Sequence, residues 1–133
     1  MTSIFKSNRN IVYDCHYHVI FCPKYRRPVL TPEVSKRFKQ IADELAKELR
    51  FEIEQMELMP DHVHILISCD PQFGIHKVVK RLKGRSSKYL REEFSDLRTK
   101  IPTLWTNSYF VATVGGAPLE VIKQYIETQQ LRG

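Results

Sequence analysis

Residues 51–69 read FEIEQMELMPDHVHILISC, two alternating runs separated by Pro60 and Asp61. Successive side chains of an extended chain point to opposite faces, so a run with a period of two is expected to form a strand. Proline has no backbone N–H to give to a sheet ladder and aspartate favours turns, so residues 60–61 reverse the chain and the two runs make a hairpin. In the second run Val63, Ile65, Ile67 and Cys69 form an apolar row, while His62, His64, Leu66 and Ser68 form the less apolar one. The first row faces a core and the histidine row faces away from it.

Outward from this hairpin, residues 11–21 alternate too, with Cys15, Tyr17, Val19 and Phe21 on one side and His16, His18 and Ile20 on the other. They are expected to be the first strand. Thr31 is an N-cap with Pro32 at the first helical position, and Val34, Phe38, Ile41, Leu45 and Leu49 step by three or four, predicting a helix over 32–50 with one buried stripe. Past the hairpin, residues 71–74 break the pattern before a second helix over 75–94. Val78, Val79, Leu82, Tyr89 and Leu90 are its expected buried side, with Gly84 interrupting it. Residues 109–114 read as a short fourth strand closed by Gly115 and Gly116, and Pro118 opens a terminal helix. The order is βαββαβ plus a helix. Two helices on one face of a four-stranded antiparallel sheet give an α+β, ferredoxin-like (RRM-like) domain with the first and third strands adjacent in the middle. With 133 residues and no repeat or linker, residues 1–133 are expected to form a single domain.

Composition narrows the function classes. Apolar residues make up 42% and charged residues 27% of the chain, which fits a folded protein rather than a disordered one. Lys and Arg total 21 against 15 Asp and Glu, and the net charge of +6 favours a polyanionic partner. Cys15, Cys22 and Cys69 are odd in number and include no C-x-x-C pair, which argues against a disulfide framework or a thiolate zinc site and fits a reducing cytoplasm. No apolar run approaches the roughly 20 residues that span a bilayer, and residues 1–10 lack the apolar stretch of a signal peptide, so a cytoplasmic protein away from membranes is expected. A chain this small leaves much surface exposed, and a homodimer covering part of the sheet is physically reasonable.

The residue types that carry chemistry fall into three groups. His62 and His64 share a strand face beside a turn and can present two imidazoles to one metal ion, although the same spacing also suits a half-buried sheet surface. His16 and His18 repeat the pattern on a neighbouring strand. They are read as packing or hydrogen bonding beneath the site, with His18 orienting a metal ligand. Tyr125 and Gln129 lie four apart on one face of the terminal helix, beside Ile122 and Ile126. A tyrosine there also suits a core, but the Gln129 carbonyl can complete a site of two imidazoles and a hard divalent ion. The second helix carries Lys77, Lys80, Arg81, Lys83, Arg85 and Lys88 with no acidic residue between 75 and 91. These cations repel one another at helical spacing and phosphates would relieve them, with Ser86 and Ser87 as donors to phosphate oxygens and Gly84 allowing close approach. Lys24, Arg26 and Arg27 surround Tyr25, an aromatic for base stacking set among cations.

Five blocks occur in order: HYHVIFCPKYRR at 16–27, MPDHVH at 59–64, KGRSS at 83–87, Trp105 with Ser108, Tyr109 and Phe110, and YIETQ at 125–129. In these the chain resembles the TnpA-type transposases of bacterial and archaeal insertion sequences, single-tyrosine members of the HUH endonuclease superfamily. The resemblance implies that His62, His64 and Gln129 hold Mg2+ or Mn2+ and that Tyr125 is the nucleophile. It implies single-stranded DNA with hairpin ends as substrate, cleaved and rejoined through a 5′-phosphotyrosine. It further implies a homodimer in which Tyr125 and Gln129 of one subunit serve the histidines of the other. No ATP is expected, since no G-x-x-x-x-G-K-[ST] loop is present and residues 115–118 read as a hinge. Two other readings stay open: a domesticated HUH endonuclease acting on chromosomal palindromes, and a non-catalytic RRM-like nucleic-acid-binding module. In the module, stacking aromatics would be expected where this chain has histidines.

Overall fold

The computed structural model describes residues 6–7, 10–114 and 119–129. Its elements are β1 (Lys6–Ser7), β2 (Val12–Tyr13), β3 (His16–Phe21), α1 (Pro32–Leu49), β4 (Glu52–Met59), β5 (His62–Ser68), α2 (Ile75–Glu93), α3 (Ser95–Thr99), β6 (Phe110–Thr113) and α4 (Leu119–Thr128). The antiparallel sheet has the order β4-β5-β3-β6, which places the first and third long strands side by side in the middle, as expected.

The alternation dictates which face is buried. Val19, Phe21, Val63, Ile65 and Ile67 are fully buried and join Val34, Phe38, Ile41 and Leu45 of α1 and Val78, Val79, Leu82 and Leu90 of α2 in one core. Both long helices therefore cover the same side of the sheet. Trp105 seals its edge, with its ring 4.7 Å from Phe21 and 5.9 Å from Phe38 between centroids. Helix α1 starts where Thr31 Oγ1 accepts from the Val34 N–H at 3.3 Å, and it stops at Arg50 in the left-handed conformation.

Four expectations change in detail. The first strand is in two pieces, because Asp14 and Cys15 leave the ladder and Val12–Tyr13 pairs instead with Lys6–Ser7. Helix α2 is continuous through Gly84, whose Cα has no heavy atom near the place a side chain would take. Tyr89 is exposed and Ser86 is buried in its stead, since the inward stripe steps by four through 78, 82, 86 and 90. Helix α3 was not anticipated at all. The expected closing glycines 115–116, Pro118 and the hinge at 115–118 lie outside the described residues. Among those described, no helix is long and apolar enough to cross a membrane, and the three cysteines are free thiols.

Candidate active site on the histidine face of the sheet

The face turned away from α1 and α2 carries His18 and Ile20 from β3, His62, His64 and Leu66 from β5, and Phe110 and Ala112 from β6. Register places His64 opposite Ile20 and Ile20 opposite Phe110, while His18 lies between Leu66 and Ala112. The central residue Ile20 is fully buried although it faces away from the main core.

His62 and His64 are held from different directions. Asp61 accepts from His62 Nδ1 at 2.8 Å and, with its other oxygen, from Arg26 Nε at 2.7 Å. A carboxylate can only accept, so His62 carries its proton on Nδ1 and turns the Nε2 lone pair away from Asp61. Burial works against the Asp61 charge, but the hydrogen bonds from His62 and Arg26 outweigh it and leave the carboxyl below its ordinary value. His64 Nε2 lies 2.9 Å from His18 Nδ1, with ring centroids 5.1 Å apart. Burial lowers the His64 pKa, and a proton on His18 would lower it further. At the far end of β3, His16 is clamped between Glu54 and Asp14, and those hydrogen bonds raise its pKa.

Tyr125 and Gln129 occupy the other side of the same face. Helix α4 leans on β6 through a ring contact of 5.5 Å between Tyr125 and Phe110. The Ser108 hydroxyl is 3.1 Å from the Tyr125 hydroxyl and donates to Gln129 Oε1 at 3.2 Å. Gln129 is fully buried, so its carbonyl is committed to Ser108. His64 and Phe110 both flank Ile20, and two strand spacings of about 4.8 Å separate the histidine half from the tyrosine half. The sheet thus aligns the two halves on one face, and within this chain the Gln129 carbonyl is bonded to Ser108.

Ser108 is the functional candidate the sequence did not single out, although it lies within one of the five blocks. It is positioned by Lys83, whose ammonium donates to the backbone carbonyls of Thr106 at 2.6 Å and Ser108 at 3.0 Å. Burial pushes Lys83 down to about 8. Its expected role as a phosphate contact is corrected: the side chain turns inward and braces the segment before β6. Ser86 is corrected likewise, being fully buried, donating to Leu82 O and accepting from Trp105 Nε1 at 3.0 Å. Arg26 donates Nε to Asp61, so part of its guanidinium is engaged within the chain.

The remaining basic residues stay outward. Lys77, Lys80, Arg81, Arg85 and Lys88 line an open concavity of about 660 Å³ on α2, with Gly84 and Tyr89 in its wall. Arg85 is shared with Glu48 of α1. Ser87 is half-buried beside it. Lys24 lies 5.8 Å from the ring centroid of the exposed Tyr25, and Arg27 is exposed next to them.

Among the described residues no trio of His, Cys, Asp and Glu side chains is placed to hold a metal ion. Of the expected donors, His62 turns Nε2 away from Asp61 and suits a hard divalent cation, whereas His64 Nε2 lies against His18 and the Gln129 carbonyl accepts from Ser108.

Residues 11–129 match the family model of IS200-like transposases. The ISDra2 transposase TnpA of Deinococcus radiodurans is 40% identical over 126 residues, covering 93% of this chain and 90% of that protein. The transposase for insertion sequence element IS200 of Salmonella typhimurium is 33% identical, covering 93% and 82%. A crystal structure of a candidate transposase from Deinococcus radiodurans R1 superposes with a TM-score of 0.80 at 38% identity, covering 93% of this chain and 97% of that one. A REP-associated tyrosine transposase bound to a REP hairpin shares the fold at 10% identity, with a TM-score of 0.58 and coverage of 92% and 68%.

Proposed function

The chain belongs to the IS200-like transposase family, and on that premise we propose that it cleaves and rejoins single-stranded DNA at insertion-sequence ends with Tyr125 as nucleophile. The observation that carries this reading is the convergence of the Tyr125 hydroxyl and the Gln129 carbonyl on Ser108, on the sheet face that also bears His62 and His64. A core tyrosine would have no use for that company.

An ordinary phenol with a pKa of about 10 is protonated and weakly nucleophilic at neutral pH. His62, His64 and Gln129 would hold Mg2+ or Mn2+, which supplies charge to polarise the scissile phosphate. Tyr125 Oη then forms a bond to phosphorus as the bond to the 3′-oxygen breaks. The phenol loses a proton and the departing 3′-oxygen gains one. The product is a 5′-phosphotyrosine, and attack by a 3′-hydroxyl of another strand reverses the step with a different partner. One phosphodiester replaces another, so no ATP is consumed.

The outward cations fit hairpin DNA. Lys77, Lys80, Arg81, Arg85 and Lys88 offer phosphate contacts beside Ser87, and Tyr25 with Lys24 and Arg27 offers a stacking surface. A homodimer would complete the site. With Gln129 directed at Ser108 in its own chain, a helix α4 supplied by a second subunit is the simplest way to add tyrosine and carbonyl to the histidines.

Incubation with single-stranded DNA carrying the element end and Mn2+ should give an adduct that survives SDS, and Tyr125→Phe should abolish it. A covalent adduct formed undiminished by Tyr125→Phe would remove Tyr125 from the reaction.

A further inference from the structure

Arg26 lies in the basic loop whose sequence points to DNA, yet its side chain is turned under the sheet's end. Tyr25 and Arg26 both have left-handed backbone, with φ of 59° and 54°. Two consecutive non-glycine residues in that region are costly and persist only where surrounding structure holds them. Here Arg26 N–H donates to Pro23 O at 2.8 Å, Lys24 N–H donates to Leu104 O at 2.8 Å, and Pro23 bridges to Trp105. The strained backbone separates two side chains: Tyr25 points to solvent and Arg26 reaches Asp61. A second tie joins the loop to the same turn, since Leu30 N–H donates to Pro60 O at 3.0 Å. Arg26, Asp61 and His62 are each about three-quarters buried, with side-chain exposures of 26%, 25% and 20%, so water competes weakly for the chain of bonds that links them.

We propose that Arg26 and Asp61 are positioning residues for the metal ligand His62: Arg26 fixes the Asp61 carboxylate, and Asp61 fixes the ring orientation and tautomer of His62. The inference rests on the ion-binding reading above and assigns Arg26 to the ligand rather than to phosphate. A carboxylate on the far nitrogen of a ligand imidazole orients the ring and makes it more basic, and its loss typically lowers metal affinity by about 10–100-fold. The strained loop then has a second consequence. A base stacked on Tyr25 and the ligand His62 sit at two ends of one braced connection, so strand and ion are registered against each other.

The test uses the full chain without DNA and compares wild type with Arg26→Gln, Arg26→Lys and Asp61→Asn. Long-range 15N–1H NMR of the ion-free protein, with His62 assigned by its loss in His62→Ala, reports the tautomer. The proton should sit on Nδ1 in wild type and spread to Nε2 in Arg26→Gln and Asp61→Asn. Mn2+ titrated into each protein should bind about 10–100-fold more weakly to those two variants, with Arg26→Lys recovering part of the loss. Hairpin binding by Arg26→Gln without Mn2+ should keep the wild-type salt dependence, because the Arg26 charge is assigned to Asp61 and not to a phosphate. The proposal is overturned if the tautomer is unchanged in both variants. It is also overturned if Arg26→Gln weakens hairpin binding and removes about one counterion from its salt dependence while Mn2+ affinity is kept. Should wild type and His62→Ala take up Mn2+ equally, the ion reading fails, and the tautomer measurement still decides whether Arg26 and Asp61 position the ring. If Asp61→Asn fails to fold, Arg26→Gln carries the comparison alone.

Discussion

The histidine half and the tyrosine half of the site are built on opposite plans. His62 and His64 sit in the register of a central strand, and neighbours brace each ring: Asp61 and Arg26 on one side, His18 on the other. Tyr125 and Gln129 ride on a helix attached to the sheet by Phe110 and one serine hydroxyl. Moving the first half means breaking a sheet, whereas the second half is held to it by side-chain contacts rather than by a backbone ladder. Under the proposed reading, the half that would hold the ion is built into the sheet, while the half that would supply the nucleophile is docked onto it, an arrangement suited to a site completed by a partner's helix.

Complementation breaks this comparison most decisively. Homodimers of His62→Ala/His64→Ala and of Tyr125→Phe/Gln129→Ala should both be inactive. A mixed dimer should regain one complete site, with the adduct only on the histidine-mutant subunit, as read on differently tagged chains. A folded mixed dimer that binds hairpin DNA but forms no adduct would mean that each chain uses its own helix.

The next effect concerns stability. Ile65→Ala lies directly under the histidine face and should cost about 2–5 kcal/mol in chemical denaturation. Tyr125→Phe should stay within about 1 kcal/mol of wild type, because it keeps the ring on Phe110 and removes only a hydroxyl from a half-buried side chain. Equal losses would show that α4 is as integral to the fold as the sheet.

Ser108→Ala probes the attachment itself. Its hydroxyl serves both Tyr125 and Gln129, so its removal should weaken α4 docking by about 1 kcal/mol. Amide exchange should quicken across α4 while β3 and β5 are unchanged. Uniform acceleration would assign Ser108 to the core instead.

The smallest effect is a pH dependence at the end of β3. Glu54 and Asp14 raise the His16 pKa above its ordinary value in the folded chain. The folded state therefore holds the proton more tightly than the unfolded one, and the stabilisation is fully present below about pH 6.5. It fades as pH rises through the folded value. His16→Gln should lack that fading, so the wild-type advantage in thermal midpoint should shrink as pH rises, and an advantage that grew with pH would have the wrong sign.

The same contrast explains what could be read from the amino acids. The hairpin at 51–69, the cap at Thr31 and the inward row of β5 follow from local periodicity, and the structure has them as expected. Lys83 and Ser86 were misassigned because a run of cations hides the four-residue step that turns 82 and 86 inward, and a serine on an apolar stripe gives no periodic signal. The Arg26–Asp61 pair was not legible because its partners are 35 residues apart across a loop. Ser108 precedes β6 in irregular chain, where neither a period of two nor one of 3.6 applies. Tyr125 and Gln129 sharing a helix face was legible from spacing, but what they face depends on docking, which spacing does not encode.

Gly84 remains in the middle of a continuous helix, lining the basic concavity, with open space where a methyl would go. A glycine in a helix interior is about 1 kcal/mol worse than alanine, and nothing in the free protein excludes the alanine. That position can thus report on the bound state by a reversal of sign. Alanine at 84 should raise the melting temperature of the protein alone, yet loosen a complex in which a sugar-phosphate backbone lies against the helix main chain. One added carbon would then distinguish a surface that merely attracts DNA from one shaped to receive it.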